Sequence, residues 1–351
     1  SRQFREARKS TSSIAPVDWG DDGGGTAREM IDRARRLANL DGAPSVSWES
    51  PDDFFERTAA ELPDADVWVG ELYLELHRAV LTSQHKTKQG NRRAEHLLVE
   101  AEWWATAAAL RAGVEYPYEE LQELWRITLT HQFHDILPGT SIAWVHREAA
   151  ATYADVAARL ERIIDASLRA LAGEGQTELL ANASAFDSRG VAPGSLGIAP
   201  KPLGSAEVLK ENGLTVLQNA SVRFAFDQRG LLVSALDRRT GRDYAVTGQP
   251  GNLFQLHQDF PNQWDAWDVD RFYRDTVTDL VDIVSLEAHM HDDGSARLRL
   301  ERAFGASSLV QEFELRPDED ALRVQQETDW HEVEKFLKLS FPLSVWAKES
   351  L

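Results

Sequence analysis

Cysteine is absent from the 351 residues. That excludes a disulfide framework and thiolate chemistry. No apolar run approaches the ~18 residues of a membrane-crossing helix; Trp103 to Leu110 is about the best. The first residues, Ser1 to Ser13, are polar and basic without an apolar centre, so no secretory signal is expected there. These absences together fit a cytoplasmic protein. Clustered positive charge is also lacking. Lys and Arg number 38 against 57 Asp and Glu, a formal net charge of -19, and no basic stripe with interleaved aromatics occurs. Phosphate contacts need clustered cations, which argues against nucleic-acid binding. An acidic balance suits a neutral or cationic ligand.

What is present is globular. The chain is 42% hydrophobic and 27% charged, long enough for two or three domains. Glu29 to Leu40 reads as an amphipathic helix ending before Gly42. Val46 and Trp48 alternate like a short strand. Ser50-Pro-Asp-Asp is a helix start, with Ser as N-cap and Pro at the first position, and that helix ends near Leu62-Pro63. Val67, Val69, Leu72, Leu74 and Leu76 alternate as extended chain, ended by His77 and Arg78.

From Asn91 the period turns helical. Leu97, Ala101, Trp104 and Ala108 form one stripe, and Gly113 ends the helix. A second helix follows Pro117, with Leu121, Leu124, Trp125 and Thr128 inward. A third runs from Thr140 to about Leu171 on Ile142, Val145, Val156, Leu160, Ile163, Ile164 and Leu168. Three amphipathic helices with short links read as a bundle. After Gly173 short alternating runs are separated by turn signals at Asp227 to Gly230, Arg239 to Gly241 and Asp292 to Gly294, which reads as a sandwich. His289 and His291 lie at such a hairpin, so a metal reading there is set aside. The fold class is therefore multidomain α+β. The end of an α/β domain covers 1–66, a three-helix bundle 67–173, and an all-β sandwich, cut short, 174–351.

One stretch stands out chemically. His131 to Thr140 puts two histidines and an acid within five residues at the end of the second helix. If the helix runs through, His131 and His134 share a side, and His131 and Asp135 are neighbours. Pro138 and Gly139 stop it, and Thr140 and Ser141 can cap the next. An imidazole and a carboxylate at a helix end suit a metal site or a sugar subsite. They equally suit a helix C-terminus whose carbonyls the histidine bonds.

The longer string Gln132-Phe-His-Asp-Ile-Leu-Pro-Gly-Thr-Ser-Ile142 closely resembles a hallmark of glycoside hydrolase family 38, the α-mannosidases, in its bacterial and cytosolic branch. Leu76-His-Arg-Ala-Val-Leu-Thr-Ser-Gln-His-Lys-Thr-Lys-Gln-Gly-Asn-Arg-Arg-Ala-Glu95 and Trp264-Asp-Ala-Trp-Asp268 are similar to two further family strings, and all three occur in the family's order. Residues 14 to 26 resemble the family's Gly-rich loop near the end of its catalytic domain. Asp21 matches there, whereas Asp18 and Asp22 stand where Gly is usual and Thr26 stands for Pro.

The resemblance implies a retaining exo-α-mannosidase acting on a mannose-containing oligosaccharide or glycoside. Two carboxyls would do the chemistry, and a divalent cation, usually Zn2+, would hold the O2 and O3 hydroxyls of mannose. His134 matches a metal ligand. Asp135 matches an acid that bonds mannose hydroxyls, His77 an aromatic position lining the sugar subsite, and Asp21 a sugar contact. The family's H-x-D ligand pair and nucleophile precede the Gly-rich loop. No catalytic residue is therefore expected within this chain, and by itself it is expected to lack turnover. Trp264 to Asp268 is expected to support the site structurally. Cleavage of mannosylglycerate rather than glycan ends stays open, and so does homo-oligomerisation. Two other classes remain: a non-catalytic carbohydrate-binding module on the sandwich, and a structural or oligomerisation module.

Overall fold

The structure, a computed structural model, describes residues 27–62, 67, 69, 77–198 and 204–346. The Gly-rich loop with Asp21 and the extended run from Leu72 to Leu76 lie outside the described residues. The chain divides into two compact units, Ser1–Tyr73 and Leu74–Leu351.

The described part of the first unit is two helices, α1 (Arg28–Leu37) and α2 (Pro51–Glu61). The Ser50 hydroxyl accepts from the Asp53 backbone N–H, so α2 starts with the side-chain cap and first-position proline that its sequence predicts. Val46 and Trp48 do not form the expected strand; residues 44–50 are irregular. Alternation marks a strand only where a partner edge accepts it, and among the described residues of this unit there is no strand.

The second unit opens with a single 3-10 turn at Ala79–Leu81, then three long helices: α3 (His85–Ala112), α4 (Tyr118–His131) and α5 (Ala143–Ala172). They share one core of Leu98, Ala101, Trp104, Leu121, Leu124, Tyr153, Val156, Leu160 and Ile163. The small residues Ala94, Ala101 and Ala108 on α3 are fully buried, which lets α5 lie close. Two expectations shift. α3 begins six residues before Asn91, and Leu98 is its fully buried leucine while Leu97 packs half-buried against the same core. Ile142 is exposed instead of inward, because α5 starts only after it. Among the described residues no helix is long and apolar enough to cross a membrane.

Beyond the three helices, apart from a 3-10 helix at Arg271–Asp275, the elements among the described residues are antiparallel strands. A hairpin of β1 (Leu180–Asn182) and β2 (Ser195–Gly197) lays Ala181, Ala183 and Leu196 on the helical core. Strands β3 (Glu207–Glu211), β4 (Leu214–Gln218), β5 (Val222–Phe226), β6 (Leu232–Asp237) and β7 (Arg242–Asp243) form a five-stranded meander. Then come β8 (Leu253–Gln258), β9 (Thr278–Leu280), β10 (Ser285–Met290), β11 (Ala296–Phe304), β12 (Ser307–Leu315), β13 (Arg323–Asp329) and β14 (Lys335–Ser340). Strands β10 to β13 pair in sequence order, and β8 sits between β14 and β9.

The five- and four-stranded sheets share one core, with Leu217, Phe226 and Leu232 from one and Leu298, Leu300 and Phe313 from the other. The Phe226 and Phe313 rings lie 4.9 Å apart. The period-2 burial of β11 and β12 is what a sheet with one covered face requires. The turn signals at 227–230, 239–241 and 292–294 each close a hairpin. His291 pairs with Asp293 at 3.1 Å within the last of them.

Candidate functional site

Helix α4 does not carry the histidine-acid stretch through, as the spacing had it. It ends at His131, and residues 132–139 are bends and turns. His131 and His134 therefore do not share a helix face. The cause is a set of side chains from α3 that draw the chain off the helical path. The Gln132 amide donates to Asn91 Oδ1 at 3.1 Å and to Glu95 Oε1 at 3.0 Å. The backbone then turns back on itself: Ile136 and Leu137 N–H donate to the Phe133 carbonyl, and Thr140 and Ser141 N–H to the Asp135 carbonyl. Thr140 does not cap α5. Its hydroxyl donates to Asp135 Oδ1, and α5 starts without a side-chain cap.

Lys88 holds this turn from beneath. Its ammonium donates to the carbonyls of Leu137 at 2.9 Å, Pro138 at 3.0 Å and Ser83 at 2.5 Å. Burial pulls its pKa below the ordinary lysine value. Gly139, at φ 96°, passes directly over Ser83; a Cβ there would come within 2.8 Å of the Ser83 carbonyl oxygen. Close by, His146 is buried. Its Nδ1 lies 3.3 Å from the Thr87 hydroxyl, and burial lowers its pKa.

His134 and Asp135 are brought together on the outer side of this turn. His134 Nε2 lies 3.5 Å from Asp135 Oδ2, and the imidazole is 68% exposed. The Phe133 ring stacks beside it, centroids 4.1 Å apart. His131 points elsewhere: its Nδ1 lies 2.8 Å from the Ile127 carbonyl, and its ring packs edge-on to Tyr153. His131 thus bonds a carbonyl at the end of its own helix.

The other two motif strings meet next door. His77 sits at φ 74° with its ring 5.0 Å from that of Trp267. Asp268, buried, accepts from the Arg78 backbone N–H and lies 3.7 Å from its guanidinium. The Ala79 N–H donates to the Trp267 carbonyl, and the Ser83 hydroxyl to the Ala266 carbonyl. Contacts thus run unbroken from Trp264–Asp268 through 77–83 to the turn at 132–141. Sequence reading missed Lys88 and the Asn91, Glu95 and Gln132 amide-carboxylate group. All lie inside the quoted strings, but nothing in their spacing says that they face inward.

Beneath the turn, the Tyr153 hydroxyl donates to Asn91 Oδ1 at 3.2 Å, and burial, with the Glu95 charge, pushes its pKa up to about 12. A phenol titrates near 10 in the unfolded chain. The neutral form is favoured on folding, so this contribution is intact below pH ~10 and is lost as pH rises through about 12, up to about 2–3 kcal/mol in all. Tyr153→Phe is expected to cost about 1 kcal/mol at pH 8. Above pH ~11 its deficit should vanish or reverse. Urea unfolding at both pH values checks this; a deficit that stays constant across them counts against it.

Residues 75–171 match the family described as the alpha mannosidase middle domain, and residues 217–350 the glycosyl hydrolases family 38 C-terminal domain. Human alpha-mannosidase 2C1 is 32% identical over 99% of this chain, and yeast alpha-mannosidase 29% over 72%. The chain spans 36% and 25% of the lengths of those two relatives. The crystal structure of an alpha-mannosidase from Enterococcus faecalis V583 aligns with 90% of this chain and 49% of its own at a TM-score of 0.67 and 14% identity, which supports the fold. A second Enterococcus faecalis structure, of a family 38 protein, gives 0.63 at 12% identity over 91% of this chain and 51% of its own. Matched segments and shared fold lead to one assignment: the chain belongs to glycoside hydrolase family 38, of whose α-mannosidases it comprises the middle and C-terminal domain segments.

Proposed function

We propose that this chain is part of a retaining, metal-dependent exo-α-mannosidase. In this reading residues 1–66 end the catalytic domain, 67–173 are a three-helix bundle and 174–351 belong to a β-sandwich. His134 is a zinc ligand, and Asp135 and His77 contact a terminal mannose. The observation that carries the reading is the placement of His134 and Asp135. They stand on an outer turn held rigid by Lys88, Gln132 and Gly139, yet the imidazole itself is open.

The donor fits zinc in kind, an imidazole nitrogen being a common zinc ligand. Among the described residues no group of three or more His, Asp or Glu gathers a metal site, so His134 accounts for only one member of a coordination set. Zinc, when bound, supplies a template that orients vicinal sugar hydroxyls. The chain's own residues do the rest of the local work. Asp135 offers carboxylate oxygens as acceptors for hydroxyl donors, and the Thr140 hydroxyl fixes one of them in place. The Trp264–Asp268 loop holds Arg78 and, through it, the backbone next to His77.

The test is metal content and hydrolysis of an aryl α-mannoside by the longer enzyme, wild type against His134→Ala. Bound zinc and turnover are expected to fall roughly 100-fold or more, beyond the loss from a group that merely orients a ligand, with the circular dichroism spectrum unchanged. Retention of both would leave the exposed histidine without a role and end the reading.

A further inference from the structure

Lys88 is a charged group whose hydrogen-bond partners are all backbone. It sits in the first turn of α3 and is partly buried, and among the described residues it has no ion-pair partner. All three of its contacts are to backbone carbonyls. Two of those carbonyls, Leu137 and Pro138, belong to the turn that carries His134 and Asp135. The third, Ser83, belongs to the segment tied by its hydroxyl to the Trp264–Asp268 loop. A lysine that served only solubility would extend into water. An ammonium has three donors and no acceptor, which matches three converging carbonyls. Proline at 138 has no N–H to offer any neighbour, and its carbonyl needs a donor from outside the turn.

We propose that Lys88 is the positioning residue of the His134–Asp135 pair, its ammonium locking the outer turn onto the 79–83 segment and so fixing where the two side chains point. Their value as a functional pair rests on the mannosidase reading above; the geometric claim does not. The lock is completed by contact rather than by charge. Gly139 lies against Ser83 on one side, and Gln132 is anchored by Asn91 and Glu95 on the other. Removing the ammonium leaves these two ends in place and frees the middle, Phe133 to Pro138. The expected lesion is therefore local.

The experiment is amide hydrogen exchange on this chain, for wild type, Lys88→Met and Lys88→Arg, with thermal melting alongside. Methionine keeps the length and apolar bulk of the side chain but donates nothing. In Lys88→Met the amides of Ile136, Leu137, Gly139, Thr140 and Ser141, all internally bonded in the turn, should exchange at least about tenfold faster. Protection in the middle of α3, α4 and α5 should hold. Arginine, which also only donates, should restore most of the protection. In the longer enzyme, zinc affinity measured with Zn2+ alone should fall about tenfold or more in Lys88→Met and recover in Lys88→Arg. Unchanged exchange in the turn overturns the proposal. So does equal acceleration throughout the three helices, which would make Lys88 a general stabiliser. Local release in Lys88→Met with zinc fully retained in His134→Ala supports the lock and removes the metal reading instead.

Discussion

Gly139→Ala is expected to destabilise the second unit by about 3 kcal/mol and to undo the outer turn. Two independent terms add. At φ 96° the backbone is outside the range an L side chain adopts readily, which costs on the order of 1–2 kcal/mol. The new Cβ would also lie 2.8 Å from both Ser83 Cβ and the Ser83 carbonyl oxygen, and 3.0 Å from its carbonyl carbon. Two of those are backbone atoms and the third is a Cβ fixed to the backbone, not the loose end of a side chain, so relief requires moving the 79–83 segment. Such overpacking costs roughly another 1–3 kcal/mol.

The same carbonyl is the closest acceptor of Lys88, at 2.5 Å, so pushing it away also opens the ammonium lock. Gly113→Ala supplies the comparison. Gly113 closes α3 at φ 69°, but nothing lies within 4 Å of its virtual Cβ. Only the backbone term applies, about 1 kcal/mol. Urea unfolding of the two variants separates the causes. A Gly139→Ala deficit no larger than that of Gly113→Ala would show that the close approach to Ser83 is not real.

The contrast between these two glycines also marks what a sequence discloses. Gly113 was legible, because an apolar stripe ended there and helices often stop at glycine. The stripes of α3, α4 and α5 and the hairpin turns at Gly230, Gly241 and Gly294 were legible for the same reason. Each is a local regularity, repeated at 3.6 or 2 residues or closed within four. Gly139 read only as a breaker. Its reason for being glycine lies 56 positions away in Ser83, and no local pattern carries that.

The end of α4 failed likewise. Propensity would let the helix run on, but Gln132 is held by Asn91 and Glu95 from another helix. Lys88 reads as an ordinary solvent-facing charge in a polar helix start, since burial is a property of what packs over it. Val46 and Trp48 show the reverse error, a local alternation that no strand among the described residues takes up. His134 and Asp135 stood out in the sequence by resemblance. Their approach to 3.5 Å and the direction in which they point were not legible, because neighbours one apart do not face each other on a helix and tertiary contacts set both.

A second large effect is expected in the β region, at the paired amides of Asn252 and Gln311. Both are fully buried. The Asn252 amide donates to Gln311 Oε1 and to the Gly230 carbonyl, each at 3.0 Å, and Gln311 donates back to Asn252 Oδ1 at 3.0 Å. The pair thereby ties the start of β8 and the β5–β6 turn to β12. Asn252 also sits at φ 56°, a left-handed conformation that asparagine tolerates and β-branched residues do not.

Asn252→Val combines the backbone penalty with two lost donations and with buried acceptors left at Gln311 and Gly230. We expect a loss of about 4 kcal/mol or more, read from urea unfolding. Asn252→Gly relieves the backbone term while losing the same amide, and should cost about 2 kcal/mol less than valine. The decisive comparison adds Gln311→Leu to each. With its partner gone, the Gln311 amide is stranded in an apolar core apart from a 3.3 Å contact to Gln326. Removing it too should restore part of the loss, a coupling of at least about 1 kcal/mol. Strict additivity would mean that the two amides are hydrated independently in solution, and that the sheets are held at this point by their apolar neighbours alone.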